Sequence, residues 1–234
     1  MSVVSATAAL ETQALGEFDS LMAYCLRTTE AWNSLQEMVS AGHASKVLYP
    51  PTGTHANAQQ LALLAEQYRQ QFLLPFAFQH LASIFESFLF DFLKIILVNN
   101  PIQLSQKKQI EVGLALSVPD RATLIDLIAE RELNEIKYRK PREWFEFLEK
   151  LIHLGCPAPN EIDALAEMKA CRDVLSHNAG ITNQVYLDKA GALARWVLNE
   201  RIVIDPPYFQ DCWTLARKIV HDLGTTAVAR FTIP

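Results

Sequence analysis

The chain has 234 residues, half of them hydrophobic, with a formal net charge of −5. That is enough apolar material for a sizeable core without disulfide staples. The absence of a dominant positive charge excludes a general electrostatic attraction for nucleic acid, so any RNA or DNA contact has to be local, through a few placed cations. Cys25, Cys156, Cys171 and Cys212 are widely spaced, with no CxxC pair, and read as free thiols of a reducing cytosol. No apolar run reaches the roughly 18 residues of a membrane span, and the start MSVVSATAALETQ lacks the basic flank and apolar stretch of a signal peptide. The expectation is a soluble cytoplasmic protein.

Apolar residues recur every three to four positions and glycine is scarce, which predicts an all-α fold. Ser5 to Ser40 reads as one helix or a broken pair. Gly42 to Asn57, with two prolines and two glycines, reads as a linker, so residues 1–57 are expected to form an N-terminal helical arm and linker, and residues 58–234 a helical bundle. The body begins with an apolar helix from about Ala58 to Val98, kinked or broken at Pro75, and "NNP" at Asn99 to Pro101 stops it.

Further helices are expected over Ser105–Leu116, over Asp120–Tyr138 with Asp120 as N-cap, and over Pro141–Leu154 with proline in the first turn. Asn160 to His177 follows, capped by Asn160 and released near Gly180. Arg201–Ile204 is the one strand-like stretch, and Pro206–Arg230 closes the chain. No internal repeat or low-complexity tract is present. Short connections between long helices predict an antiparallel up-and-down bundle of four or five core helices.

Chemistry concentrates in CRDVLSHNAG, Cys171 to Gly180. At 100° per residue, Ala164, Leu165, Met168, Cys171 and Leu175 share one arc, and Arg172 falls inside it. An arginine there has to be paired, hydrated, or aimed into a cleft or interface. His177 sits about 140° from Arg172 on the same arithmetic, so the two meet only if the last turn unwinds or a second copy of the helix supplies the partner. Asp173 is at i, i+4 from His177, placed to orient the imidazole, and Lys169 is placed to neutralise Asp173. The alternative is structural: a histidine favoured by the helix dipole, Asn178 and Gly180 as C-cap, and Arg172 tying helices together.

The string Arg172–His177 resembles the R-x4-6-H motif of the HEPN superfamily, with Asp173 as the polar residue after the arginine. The continuation HNAGITNQVYLDKAG is similar to the HN-x-G-x-V-x-x-x-Y-L pattern of stand-alone HEPN proteins. Asn178, Gly180, Tyr186 and Leu187 fill its places, and Thr182 stands where that pattern has valine. Phe78–Leu93 resembles the early HEPN helix that carries an acidic residue, here Glu86. The resemblance covers about Ala77 to Arg230.

It implies an all-α bundle that dimerises with both motifs facing a shared cleft, and a metal-independent endoribonuclease without a cofactor, as in toxin–antitoxin, defence or RNA-processing systems. On that basis His177 would serve as general base or acid and Arg172 would hold the scissile phosphate. Asp173 would tune His177, and Ser176 or Asn178 would donate to a phosphate oxygen. Glu86 would be a buried partner of Arg172 or an active-site residue. The implied partners are a second copy of the chain, RNA, and an antitoxin or nucleotidyltransferase. The rival reading is a non-catalytic HEPN-like module for dimerisation or for holding a partner or nucleotide.

Elsewhere, YRKPREW (Tyr138–Trp144) is the most basic patch and sets aromatics beside cations, a composition for phosphates and bases or for a solvated loop. Arg217 and His221 read as an ordinary helix face, and His43, His55, His80 and His153 show no metal-ligand spacing. The phenylalanines from Phe72 to Phe92 read as core and dimer surface. No phosphate loop, G-x-S-x-G or H-E-x-x-H is present.

Overall fold

The computed structural model describes residues 2–104 and 109–232. Ser2 accepts a hydrogen bond from the Ser5 amide and so caps the first helix, α1 (Val3–Ser40), which runs without a break. Ala14, Phe18 and Cys25 on its inner side are buried in the common core. The helix expected as an arm is therefore one wall of the bundle.

The Gly42–Asn57 stretch contains a small hairpin that sequence reasoning took for linker. Strands β1 (Leu48–Tyr49) and β2 (Thr54–His55) pair antiparallel, Leu48 with His55 and Tyr49 with Thr54, around a turn where Gly53 takes a positive φ of 66°.

Asn57 and Gln60 cap α2 (Ala58–Tyr68) reciprocally, each side chain accepting the other's amide at 2.9 Å. A single π-helical turn, Arg69–Leu73, joins it to α3 (Leu74–Asn99). Pro75 lies in the first turn of α3, and the wider turn before it absorbs the missing donor, which is the form the expected kink takes. Helix α3 is apolar nearly all round and is the hub, packing against α1 and three later helices. Phe78, Phe85, Phe88, Phe90 and Phe92 are buried, while Phe72 and Phe76 stay exposed.

After Asn99 the chain turns at Pro101. The helix expected over Ser105–Leu116 falls partly outside the described residues; Gln109–Glu111 are not helical, and α4 spans only Val112–Ser117. Asp120 caps α5 (Arg121–Lys137), accepting the Thr123 amide at 2.8 Å, and Pro141 opens α6 (Pro141–Ile152). Helix α7 (Pro159–His177) starts earlier than expected: its cap is Ala158, and Glu161 accepts the Ala158 amide at 2.8 Å, so Asn160 is already helical.

A short helix, α8 (Gln184–Ala190), was not anticipated; Asn183 caps it on the Tyr186 amide. Arg201–Ile204 is extended but forms only a single bridge, Ile181 to Arg201. Helix α9 (Pro206–Thr232) packs along α1 and α3. Gly224 faces α1 so closely that a Cβ there would meet Glu11, which pairs with His221 at 2.8 Å; Arg217 pairs with Asp19 at 3.0 Å.

The protein is an all-α helical bundle. Among the described residues no helix is long and apolar enough to cross a membrane.

Candidate functional site

Helix α7 buries Leu165, Glu167, Met168, Ala170, Cys171 and Val174, an arc of about 220° at 100° per residue. What remains for the surface is a stripe carrying Lys169, Asp173 and His177, with Arg172 on its edge. The stripe forms one side of a cleft of about 600 Å³. Glu86 of α3 and Asp188 and Lys189 of α8 add to it, and the α5–α6 corner from Lys137 to Arg142 closes it. Arg172 and His177, on opposite edges of the stripe, both line this cleft within one chain; they make no hydrogen bond with each other.

The inner end of the cleft is a five-membered ion cluster. Arg172 donates through Nη2 to Glu86 Oε1, and its Nη1 lies 3.3 Å from Asp173. Lys169 lies 3.3 Å from Glu86 and 3.4 Å from Asp173, and Lys189 lies 2.9 Å from Asp173. The Arg172 side chain is 18% exposed and that of Glu86 25%, so the pair is largely withdrawn from water. Arg172 Nε is buried without a partner.

Burial alone would raise the Asp173 pKa. The hydrogen bond from Lys189 and the charges of Lys169, Lys189 and Arg172 outweigh it and hold the carboxyl below its usual range. The expected Asp173–His177 contact is therefore absent: the carboxylate is occupied by three cations, one of them from the unanticipated α8. His177 is exposed and has no hydrogen-bond or ion-pair partner among the described residues.

Two further motif residues face elsewhere. Ser176 Oγ donates to Gln79 Oε1 at 2.9 Å, tying α7 to α3, and Asn178 Nδ2 donates to the Ile181 carbonyl in the turn after α7. Gly180, at φ 75°, makes that turn, its amide reaching the Val174 carbonyl at 3.1 Å. The Thr182 hydroxyl donates to the Val197 carbonyl and accepts the Glu200 amide, pinning the 197–200 loop.

The outer part of the cleft is the basic YRKPREW segment. Trp144, fully buried, holds it: Nε1 donates to the Ile136 carbonyl at 2.8 Å, the ring meets Phe90 edge-on at 5.3 Å, and Lys169 lies over it at 5.5 Å. Seven cations line the cleft against four carboxylates, in a chain whose net charge is −5. Two of these cations are already paired, Arg142 with Asp163 at 2.8 Å and Arg139 with Glu143 at 3.7 Å, and a local excess of positive charge remains that the bulk charge conceals.

On the far side of α7 lies a group that sequence reasoning missed. Buried Glu167 accepts from Tyr208 Oη at 2.7 Å and from Cys171 Sγ at 3.0 Å, with Tyr186 Oη at 3.5 Å. Burial raises its pKa despite these donors. The same burial pushes the Cys171 thiol up, and Cys212 up to about 12. Nothing in the local pattern marked Glu167 as buried; only its partners on α8 and α9 do.

No family model, curated protein or solved structure matches this chain. The HEPN resemblance thus rests on the residues quoted for it, and the cleft has to be read from its own chemistry. In the ion cluster Lys169, Arg172 and Lys189 face only Glu86 and Asp173, which leaves one positive charge in excess.

Proposed function

We propose that this protein is a homodimeric, metal-independent endoribonuclease of the HEPN type, acting in the cytoplasm. The observation that carries the reading is the convergence on one cleft of Arg172 and His177 from α7 and the basic α5–α6 corner, which lies well before them in sequence. In the reaction, His177 takes the proton from a ribose 2′-OH and the 2′-oxygen attacks the adjacent phosphorus. The bond to the 5′-oxygen breaks, and a second histidine, the copy in the other protomer, protonates that leaving oxygen. The products are a 2′,3′-cyclic phosphate and a 5′-hydroxyl. Arg172, Lys169 and Lys189 neutralise charge that grows on the phosphoryl oxygens. In a toxin or defence role such an activity needs restraint by an antitoxin or nucleotidyltransferase partner.

The test is RNA cleavage by pure protein in excess chelator. Wild type should leave cyclic phosphate ends, and His177→Ala should be slower by at least about 100-fold. Equal rates for the two proteins would refute the reading. The Arg172–Glu86 pair favours a second one, in which Arg172 is a structural tie and the cleft binds RNA without cutting it. That reading predicts RNA binding by wild type with no cleavage by either protein.

A further inference from the structure

The α5–α6 corner is only three residues long, Tyr138–Lys140, between Lys137 at the end of one helix and Pro141 at the start of the next. Tyr138 is 93% exposed, the most exposed of the large hydrophobic side chains, and it contacts no other ring among the described residues. A lone exposed tyrosine would need no explanation. This one lines the cationic cleft, flanked by Arg139, Lys140 and Arg142.

The backbone beneath it is fixed. The Ile136 carbonyl receives both Trp144 Nε1 at 2.8 Å and the Arg139 amide at 2.9 Å. The Lys140 carbonyl receives the Glu143 amide at 2.9 Å, in the first turn of α6. With the backbone fixed beside the cations of the cleft, ordering the ring on binding costs only its own two side-chain torsions. The ring suits an unpaired base, because every base has a π-face and because bases inside a duplex are already stacked on one another.

We infer that Tyr138 is a stacking platform for one unpaired base of the bound strand, so that the cleft takes single-stranded RNA. The inference rests on the reading of the cleft as an RNA site, and it does not require cleavage. Lys140 holds a backbone phosphate beside the stacked nucleotide, and Arg139 and Arg142 reach one by exchanging Glu143, at 3.7 Å, and Asp163, at 2.8 Å, for it. Tyr138 selects strand state rather than sequence.

The experiment uses the full chain and labelled 2′-O-methyl RNA of about ten nucleotides, which offers no 2′-OH and so is not consumed. Anisotropy titrations compare the single strand, its duplex and an abasic strand of equal charge. Tyr138→Ala should weaken single-strand binding by roughly 5- to 150-fold, as expected for loss of one base–aromatic stack. Tyr138→Phe should stay within about twofold of wild type, and binding of duplex and abasic strand should not respond to either change. Because the side chain packs on nothing, the thermal midpoint should not move.

Unchanged single-strand affinity in Tyr138→Ala, or an equal loss on all three probes, would overturn the inference. If no probe binds, the RNA reading falls and takes this inference with it. If binding depends on Tyr138 but the all-ribose strand is not cut, only the cleavage proposal fails.

Discussion

Trp144 joins the core to the cleft, and removing it should be costly for a calculable reason. Its side chain is fully buried between α3 and α7, where it meets Phe90 and lies under Lys169, and its N–H is spent on the Ile136 carbonyl. Truncation to alanine leaves a cavity the size of an indole, for which about 3–5 kcal/mol is the usual loss. Trp144→Phe keeps most of the ring and forfeits one hydrogen bond of about 1 kcal/mol. The Ile136 carbonyl keeps the Arg139 amide, so the smaller change should cost about 2 kcal/mol in all, including the ring volume lost. Urea unfolding at neutral pH reads both values. The same variants should bind RNA less tightly, because the corner carrying Tyr138 loses its anchor. A loss below about 1 kcal/mol for Trp144→Ala would refute the packing argument.

A double-mutant cycle on Arg172→Gln and Glu86→Gln, read by urea unfolding, should give a coupling of about 1–2 kcal/mol, between the values of exposed and fully buried pairs, since Lys169 still faces Glu86. A coupling near zero would show that Glu86 does not tie Arg172 in place and would leave Asp173 as its partner. The buried Glu167 holds its proton to a higher pH when folded than when unfolded, so its contribution to stability is full below about pH 4.3 and is lost as pH rises through its raised folded value. The thermal midpoint of wild type relative to Glu167→Gln should therefore fall as pH increases from 4 upward, and parallel profiles would contradict the assignment.

Much of the scaffold is legible in the sequence because its signals are local. Asp120 caps the helix it was expected to cap, and Pro141, Pro206 and the Asn99–Pro101 stop all fall where their backbone chemistry requires. The failures are non-local. Helix α1 buries only a sparse series of inward residues, so its sequence gives little sign of the α3 and α9 surfaces that cover it. Asn160 was a plausible cap, yet Pro159 is better suited to the first turn and moves the start back to Ala158.

The site divides in the same way. An arginine on a buried stripe calls for pairing, hydration or a cleft, and the partner it has, Glu86, is the carboxylate that the family resemblance singles out. The capture of Asp173 by Lys189 depended on α8, a helix too short for its periodicity to show. The basic corner and the motif helix were each visible, but their meeting is a tertiary fact. Arg172 and His177 lie about 140° apart around α7 at 100° per residue, and a cleft wide enough to span the stripe between them brings both to its lining.

The most direct measurement uses an RNA strand that wild-type protein cuts at one linkage, and the same strand with a single 2′-deoxy nucleotide on the 5′ side of that linkage, both in excess chelator. If His177 activates the 2′-OH, the deoxy substitution should abolish cleavage at that linkage while leaving affinity nearly unchanged. Cleavage of the deoxy linkage at the rate of the ribose one would contradict the account.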